Sequence, residues 1–93
     1  MEIITKYYRN GRDVDADETM RETVRALSSG TVFTAEQLAQ AVHSAYPNDE
    51  ECGDLRFLRE SASRLLGFTL SNSLFPASLR LCDEQGNGTY IRR

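Results

Sequence analysis

Side chains capable of chemistry are few in this chain, and they are scattered. His43 is the single histidine, and Cys52 and Cys82 are the two cysteines. The three could be imagined as metal ligands, but none has the CxxC or HxxxH spacing that lets one turn of backbone offer two ligands to a zinc ion. A Cys–His nucleophile needs a thiol held beside a base and an oxyanion donor, and nothing in the pattern supplies that arrangement. Gly86-Asn87-Gly88 lacks the following Lys of a phosphate loop and does not join a strand to a helix, so it reads as a hairpin turn. Asp49-Glu50-Glu51 would suit a cation or a basic partner, although such a run in a polar loop is ordinarily a solvated surface. No catalytic residue, metal site or cofactor is expected, and the chain is not expected to be an enzyme.

The arginines are the better candidates for recognition. The net charge is −3, but residues 31–53 hold four acids and no Lys or Arg, whereas residues 54–93 hold six Arg against four acids. That asymmetry permits a basic face on an acidic protein. Arg56, Glu60 and Arg64 recur every four residues. They are either contacts to phosphate or guanine or a solvated ladder of ion pairs worth a few tenths of a kcal/mol each. Phe57 falls off the apolar stripe of its helix. It either packs beneath the N-terminal strand or the hairpin, or serves as an aromatic anchor for a partner protein.

These residues need elements to position them. Residues 2–9 are rich in β-formers (Ile3, Ile4, Thr5, Tyr7, Tyr8) and read as a strand, followed by an Asn10-Gly11 turn signal. Asp15 or Asp17 is placed to cap a first helix over residues 18–27, with Met20, Val24 and Leu27 on one face. Ser28-Ser29-Gly30 ends it, Gly30 suiting the left-handed C′ position. Thr31-Val32-Phe33 is extended. Thr34 then caps a second helix over residues 35–45, and Gln37 completes a capping box. Leu38, Ala41, Val42 and Ala45 are its expected inward set, and Pro47 stops it. A third helix spans residues 54–66 with Leu55, Leu58, Ala62, Leu65 and Leu66 inward and Gly67 at its end. Residues 68–77 are irregular. Residues 78–82 and 89–92 alternate and form a hairpin around a polar loop at 83–88.

The order of elements carries a resemblance. From residue 18 to 93 the chain resembles a winged-helix (winged helix-turn-helix) domain, on the stretch Thr31-Val32-Phe33-Thr34-Ala35-Glu36-Gln37-Leu38-Ala39, the third helix and the closing hairpin. The likeness is to an architecture. It implies an α+β fold, with a three-helix core, a C-terminal β-hairpin wing and an added N-terminal strand or arm over residues 1–17. It also implies that the third helix enters the DNA major groove while the wing touches the backbone. On the helix, Arg56, Phe57, Glu60 and Arg64 then face outward, with Arg59 and Ser63 at one border and Ser61 at the other. The wing offers Arg80 and Arg92. Against DNA stand the long acidic loop between the second and third helices, Asp83 and Glu84 at the expected wing tip, and the lack of Lys after Lys6.

The chain is expected to be one domain over residues 1–93. It has no apolar run of roughly 20 residues and no secretory h-region at its start, so a cytoplasmic location with free thiols is expected. The leading expectation is a small DNA-binding regulator using the third helix and the wing. The alternative is a non-catalytic protein–protein interaction module on the same scaffold, such as a phage-encoded inhibitor that covers another protein's surface. An N-terminal edge strand could also pair with a second copy as a homodimer.

Overall fold

The computed structural model of the chain describes residues 9–10 and 13–93. Strands β1 (Arg9–Asn10) and β2 (Asp13–Val14) pair antiparallel, with Arg9 opposite Val14 and Asn10 opposite Asp13. Residues 2–8 of the expected N-terminal strand lie outside the described residues, as do Gly11 of the expected turn and the homodimer pairing proposed for that strand.

Helix α1 spans Ala16–Ala26 and begins earlier than expected, because Asp15 is the cap. Asp15 Oδ1 accepts from the Glu18 amide at 3.0 Å, and Asp17 and Glu18 place negative charge at the positive end of the helix. Its buried stripe is Ala16, Thr19, Met20, Thr23 and Val24. The two threonines were not anticipated. Thr23 Oγ1 donates to the Thr19 carbonyl at 2.6 Å, which lets a hydroxyl enter the core. Leu27, expected on the inner face, is the half-buried C-cap. Gly30 does adopt φ +88°, but three residues beyond that cap, where its amide donates to the Arg92 carbonyl at 2.7 Å.

Strand β3 (Val32–Thr34) leads directly into α2 (Ala35–Ala45). The capping box forms as expected: Thr34 Oγ1 accepts from the Gln37 amide at 3.0 Å, and Gln37 Oε1 accepts from the Thr34 amide at 2.9 Å. The inward set is Leu38, Ala39 and Val42. Ala39 replaces Ala45, which is exposed, and Ala41 is half-buried. Two alanines of equal hydropathy do not reveal which border of the stripe meets a neighbour. After Pro47 the loop closes tightly. Gly53 approaches so closely that a Cβ there would collide with the carbonyl oxygens of Asp49 and Pro47.

Helix α3 spans Leu55–Leu65 and is capped by Asp54, whose Oδ1 accepts from the Phe57 amide at 3.1 Å. Leu58, Ser61, Ala62 and Leu65 are buried, and Leu55 packs at the margin. Gly67 does not end the helical path. The chain widens into a π-helical turn over Leu66–Leu70. There the Ser71 amide and hydroxyl both donate to the Leu66 carbonyl, at 2.9 and 2.6 Å. Burial of Leu66 and Leu70 keeps this wider turn against the core.

The second strand of the hairpin lies where expected, at Thr89–Arg92, but the first is displaced. Ala77–Leu79 is a 3-10 turn, so the alternation of Leu79 and Leu81 is not a strand. The Arg80 amide is spent on the Ala77 carbonyl at 3.2 Å, and Leu79 is exposed. Strand β4 is Cys82–Gly86 and β5 is Thr89–Arg92. Asp83 and Glu84 therefore stand opposite Ile91 and Tyr90 in the ladder, and not at the tip. The tip is Asn87-Gly88, with φ +53° and +73°, which is the backbone of a type I′ turn. The antiparallel sheet runs β3-β5-β4. Three helices over this small sheet and hairpin make the α+β fold expected, with a topology compatible with a winged helix. Phe33, Met20, Leu38, Leu58 and Leu66 fill the space between, and the Phe33 and Tyr90 rings lie 6.1 Å apart on neighbouring strands.

Candidate functional site

The outward face of α3 is set by its buried stripe. With Leu58, Ala62 and Leu65 turned inward, Arg56, Phe57, Arg59, Glu60, Ser63 and Arg64 are all exposed. The structure thus brings the six helix candidates onto one surface, but it does not make that surface uniformly basic. Arg56 Nε stands 3.9 Å from Glu60 Oε1, a loose pair between well-exposed side chains. Phe57 is 38 % exposed at the first turn of the helix.

Arg59 reaches across to α2. Its Nε donates to Glu36 Oε2 at 2.8 Å and its Nη2 to Oε1 at 2.9 Å. This fork geometry is the strongest form of an ion pair. Hydrogen bonding from Arg59, and then from the Gln40 amide, holds the Glu36 carboxyl below its usual range, and Arg59 is pushed up in turn. The pair is in solvent, so its role is to fix the relative position of the two helices more than to stabilise them.

The two hairpin candidates sit elsewhere. Arg80 precedes β4, its side chain is 17 % exposed, and its Nε is 3.7 Å from Asp83 Oδ1. That Nε has no hydrogen-bond partner among the described residues. Arg92 turns into the fold. It donates from Nε to Val24 O at 3.0 Å, from Nη2 to Arg25 O at 3.0 Å, and from Nη1 to Leu81 O at 3.3 Å and Arg93 O at 2.7 Å. Alternation in β5 carried the signal, because Arg92 shares the strand face of the buried Tyr90. The structure therefore does not bring Arg80 and Arg92 to the α3 face.

Among the described residues no group of three His, Cys, Asp or Glu side chains is placed to hold a metal ion. His43 is half-buried, with Nδ1 3.1 Å from the Cys52 carbonyl oxygen. Both thiols are buried. Burial first, and then the nearby Asp49, pushes the Cys52 thiol up to about 12. Burial with Asp83 pushes Cys82 up to about 11. Neither is a thiolate near neutrality, so neither is a nucleophile there.

A second feature was missed in the sequence. Phe68, Leu74, Phe75 and Leu79 are exposed on the segment joining α3 to β4. A groove of about 380 Å³ runs beside them, lined by Arg21 and Arg25 of α1 and by Leu70, Phe75, Leu79 and Leu81. Pro76 and the serines, which give the segment few backbone ladders, were the available sign of a surface path.

Comparison of the chain with protein-family models, with curated proteins and with solved structures finds no match. Among the described residues no helix is long and apolar enough to cross a membrane.

Proposed function

We propose that the chain is a non-catalytic, cytoplasmic protein-interaction module on a winged-helix scaffold, which docks a partner protein on the outer face of α3. The observation that carries this is the mixed character of that face. Phe57 sits beside Arg56 and Glu60, with the Arg59–Glu36 pair fixed at its border. An aromatic anchor ringed by charges of both signs matches a protein surface better than a phosphate backbone. The hairpin supports the same reading. Thr89, the residue after the turn, already pairs with Thr34, and the Gly88 carbonyl accepts from the Ala35 amide at 3.1 Å. No part of the wing ladder extends past β3 toward a groove.

DNA binding is the second reading, and a specific observation favours it. Arg56 and Arg64 stand exposed on one helix, roughly 12 Å apart along its axis. That spacing allows two contacts from a recognition helix.

One experiment separates the readings. The immobilised chain and its Phe57→Ala and Arg56→Ala/Arg64→Ala variants, each checked by circular dichroism, are used to capture ligands that are then identified. A protein retained by the native chain and lost with Phe57→Ala supports the module. Binding to random duplex DNA at about 50 mM salt, lost with the double arginine variant but kept by Phe57→Ala, overturns it in favour of the regulator.

A further inference from the structure

The tip of the β4–β5 hairpin carries two residues that can react with each other. Asn87 and Gly88 are both exposed there. The backbone nitrogen that follows an asparagine can attack the side-chain Cγ, and glycine leaves that nitrogen unshielded because it has no Cβ. The nitrogen loses its proton to solvent, the N–Cγ bond forms, the Cγ–Nδ2 bond breaks, and ammonia leaves. Water then opens the cyclic imide at either carbonyl. One opening gives aspartate. The other gives isoaspartate, in which the main chain runs through the side chain and gains a carbon. Water is the sole co-reactant. We infer that Asn87 is a site of this deamidation, that the closed hairpin holds the reaction off, and that isoaspartate once formed keeps the hairpin tip from closing again.

The closed turn is a poor geometry for the attack. Asn87 and Gly88 have φ +53° and +73°, as in a type I′ turn. In such a turn ψ of the first central residue is near +30°, which sets the following nitrogen nearly trans to Cβ about the Cα–C bond. The attack needs the Gly88 nitrogen and the Asn87 Cβ on the same side. Three contacts hold the tip as it is. Thr89 pairs with Gly86 across the hairpin and with Thr34 of β3, and the Gly88 carbonyl accepts from the Ala35 amide at 3.1 Å. The tip must therefore open before Asn87 reacts. Opening is within reach because β4 is an edge strand whose Glu84, Gln85 and Gly86 are exposed, and segments with few buried contacts open at less cost than a core.

Isoaspartate removes the same contacts. A two-residue type I′ turn has no room for an additional main-chain carbon, so the Gly86–Thr89 pair and the Gly88–Ala35 contact cannot both reform. Ala35 is the first residue of α2 and follows the Thr34 cap, so the change is felt where β3 enters the helix. A brief opening thus becomes a lasting one. Asn72 shows the contrast. Its Nδ2 donates to the Phe68 carbonyl at 3.3 Å and its Oδ1 accepts from the Leu74 amide at 2.9 Å, so both ends of the side-chain amide are held. A serine follows it, and not a glycine.

This inference does not depend on what the outer face of α3 binds. The test is timed incubation of the 93-residue chain at mildly alkaline pH, native and in urea, followed by digestion in acid. Chromatography and mass spectrometry then separate the asparagine, aspartate and isoaspartate forms of the peptide carrying Asn87, apart from the one carrying Asn10-Gly11. The unfolded chain should convert Asn87 at least about tenfold faster than the native chain, the factor imposed by an opening free energy of about 1.4 kcal/mol. Thr89→Gly, which weakens both ladders, should move the native rate toward the unfolded one. The isoaspartate form, isolated from aged protein, should exchange its Ala35 amide hydrogen faster than the native chain. Asn87→Asp adds the charge without rerouting the main chain, and aspartate tolerates the left-handed backbone, so it should keep that amide protected. Equal rates in native and unfolded chains overturn the gate, and no conversion in the unfolded chain overturns the site. A protected Ala35 amide in the isoaspartate form overturns the locking.

Discussion

Arg92 closes the carboxyl end of α1 by donating from Nε to the Val24 carbonyl oxygen at 3.0 Å. The last carbonyls of a helix carry its negative end, and the Val24 carbonyl, which accepts from the Leu27 amide at 3.1 Å, keeps a second lone pair for Arg92. A guanidinium suits them because its donors form a planar fork, and Nη2 donates to the Arg25 carbonyl at 3.0 Å. The contact joins the final strand to the first helix, so it ties the two ends of the described chain together. Arg92→Ala should lower the unfolding free energy by about 2 kcal/mol, because it removes charge-assisted hydrogen bonds to backbone carbonyls, of which those of Val24 and Leu81 are part-buried. Arg92→Lys should recover only part of the loss, since an ammonium cannot bridge both oxygens in one plane. Urea titration gives both values. Equal midpoints for native and Arg92→Ala proteins would show that water caps α1 equally well.

How Arg92 behaves marks where the sequence is legible. Local devices read correctly: Thr34 as a cap, Gln37 as the capping-box partner, Pro47 as the stop, Gly86-Asn87-Gly88 as the site of the hairpin turn, and Asp15 as one of two capping candidates, with Asp17 the other. Each acts within four residues, and its chemistry does not depend on the rest of the fold. The errors arise where the deciding partner is distant. Leu79 and Leu81 alternate like a strand, but the Leu81 amide goes to the Leu70 carbonyl at 3.0 Å and the strand begins later. Asp83, Glu84 and Gln85 look like a loop because β4 is an edge strand with a solvated face. The outer face of α3 was legible from helical period alone. The placement of Arg59 against Glu36, 23 residues away, was not.

Ser61 offers a gain in stability. It is 1 % exposed on the inner face of α3, and its Oγ has no hydrogen-bond partner among the described residues. A desolvated hydroxyl without a partner costs free energy that a methyl group does not. Alanine also has the higher helix propensity. Ser61→Ala should therefore stabilise the fold by about 1 kcal/mol, a rise of roughly 4–8 °C in Tm for a domain of this size. Differential scanning calorimetry checks it. A lower Tm would mean that an ordered water satisfies the hydroxyl.

The two thiols make the protein sensitive to alkali. In the unfolded chain a thiol ionises near 9, whereas burial keeps Cys52 protonated to about 12 and Cys82 to about 11. Above about pH 9 the unfolded state therefore loses protons that the native state retains. The native state then binds more protons than the unfolded state, so stability falls as pH rises. The fall approaches about 1.4 kcal/mol per pH unit for each thiol between pH 9 and pH 11. Burial also raises the Tyr90 hydroxyl, which adds a loss of the same sign at higher pH, so the thiols must be isolated by substitution. Cys52→Ala/Cys82→Ala should be less stable than the native chain at pH 7, because two buried side chains are truncated. Its stability should decline less between pH 8 and pH 10. Urea unfolding in the presence of a reductant, repeated across that range, measures both slopes. Parallel slopes would place the alkaline sensitivity elsewhere. Both thiols should also resist iodoacetamide at pH 8 until the chain is unfolded, since the reagent attacks only the thiolate.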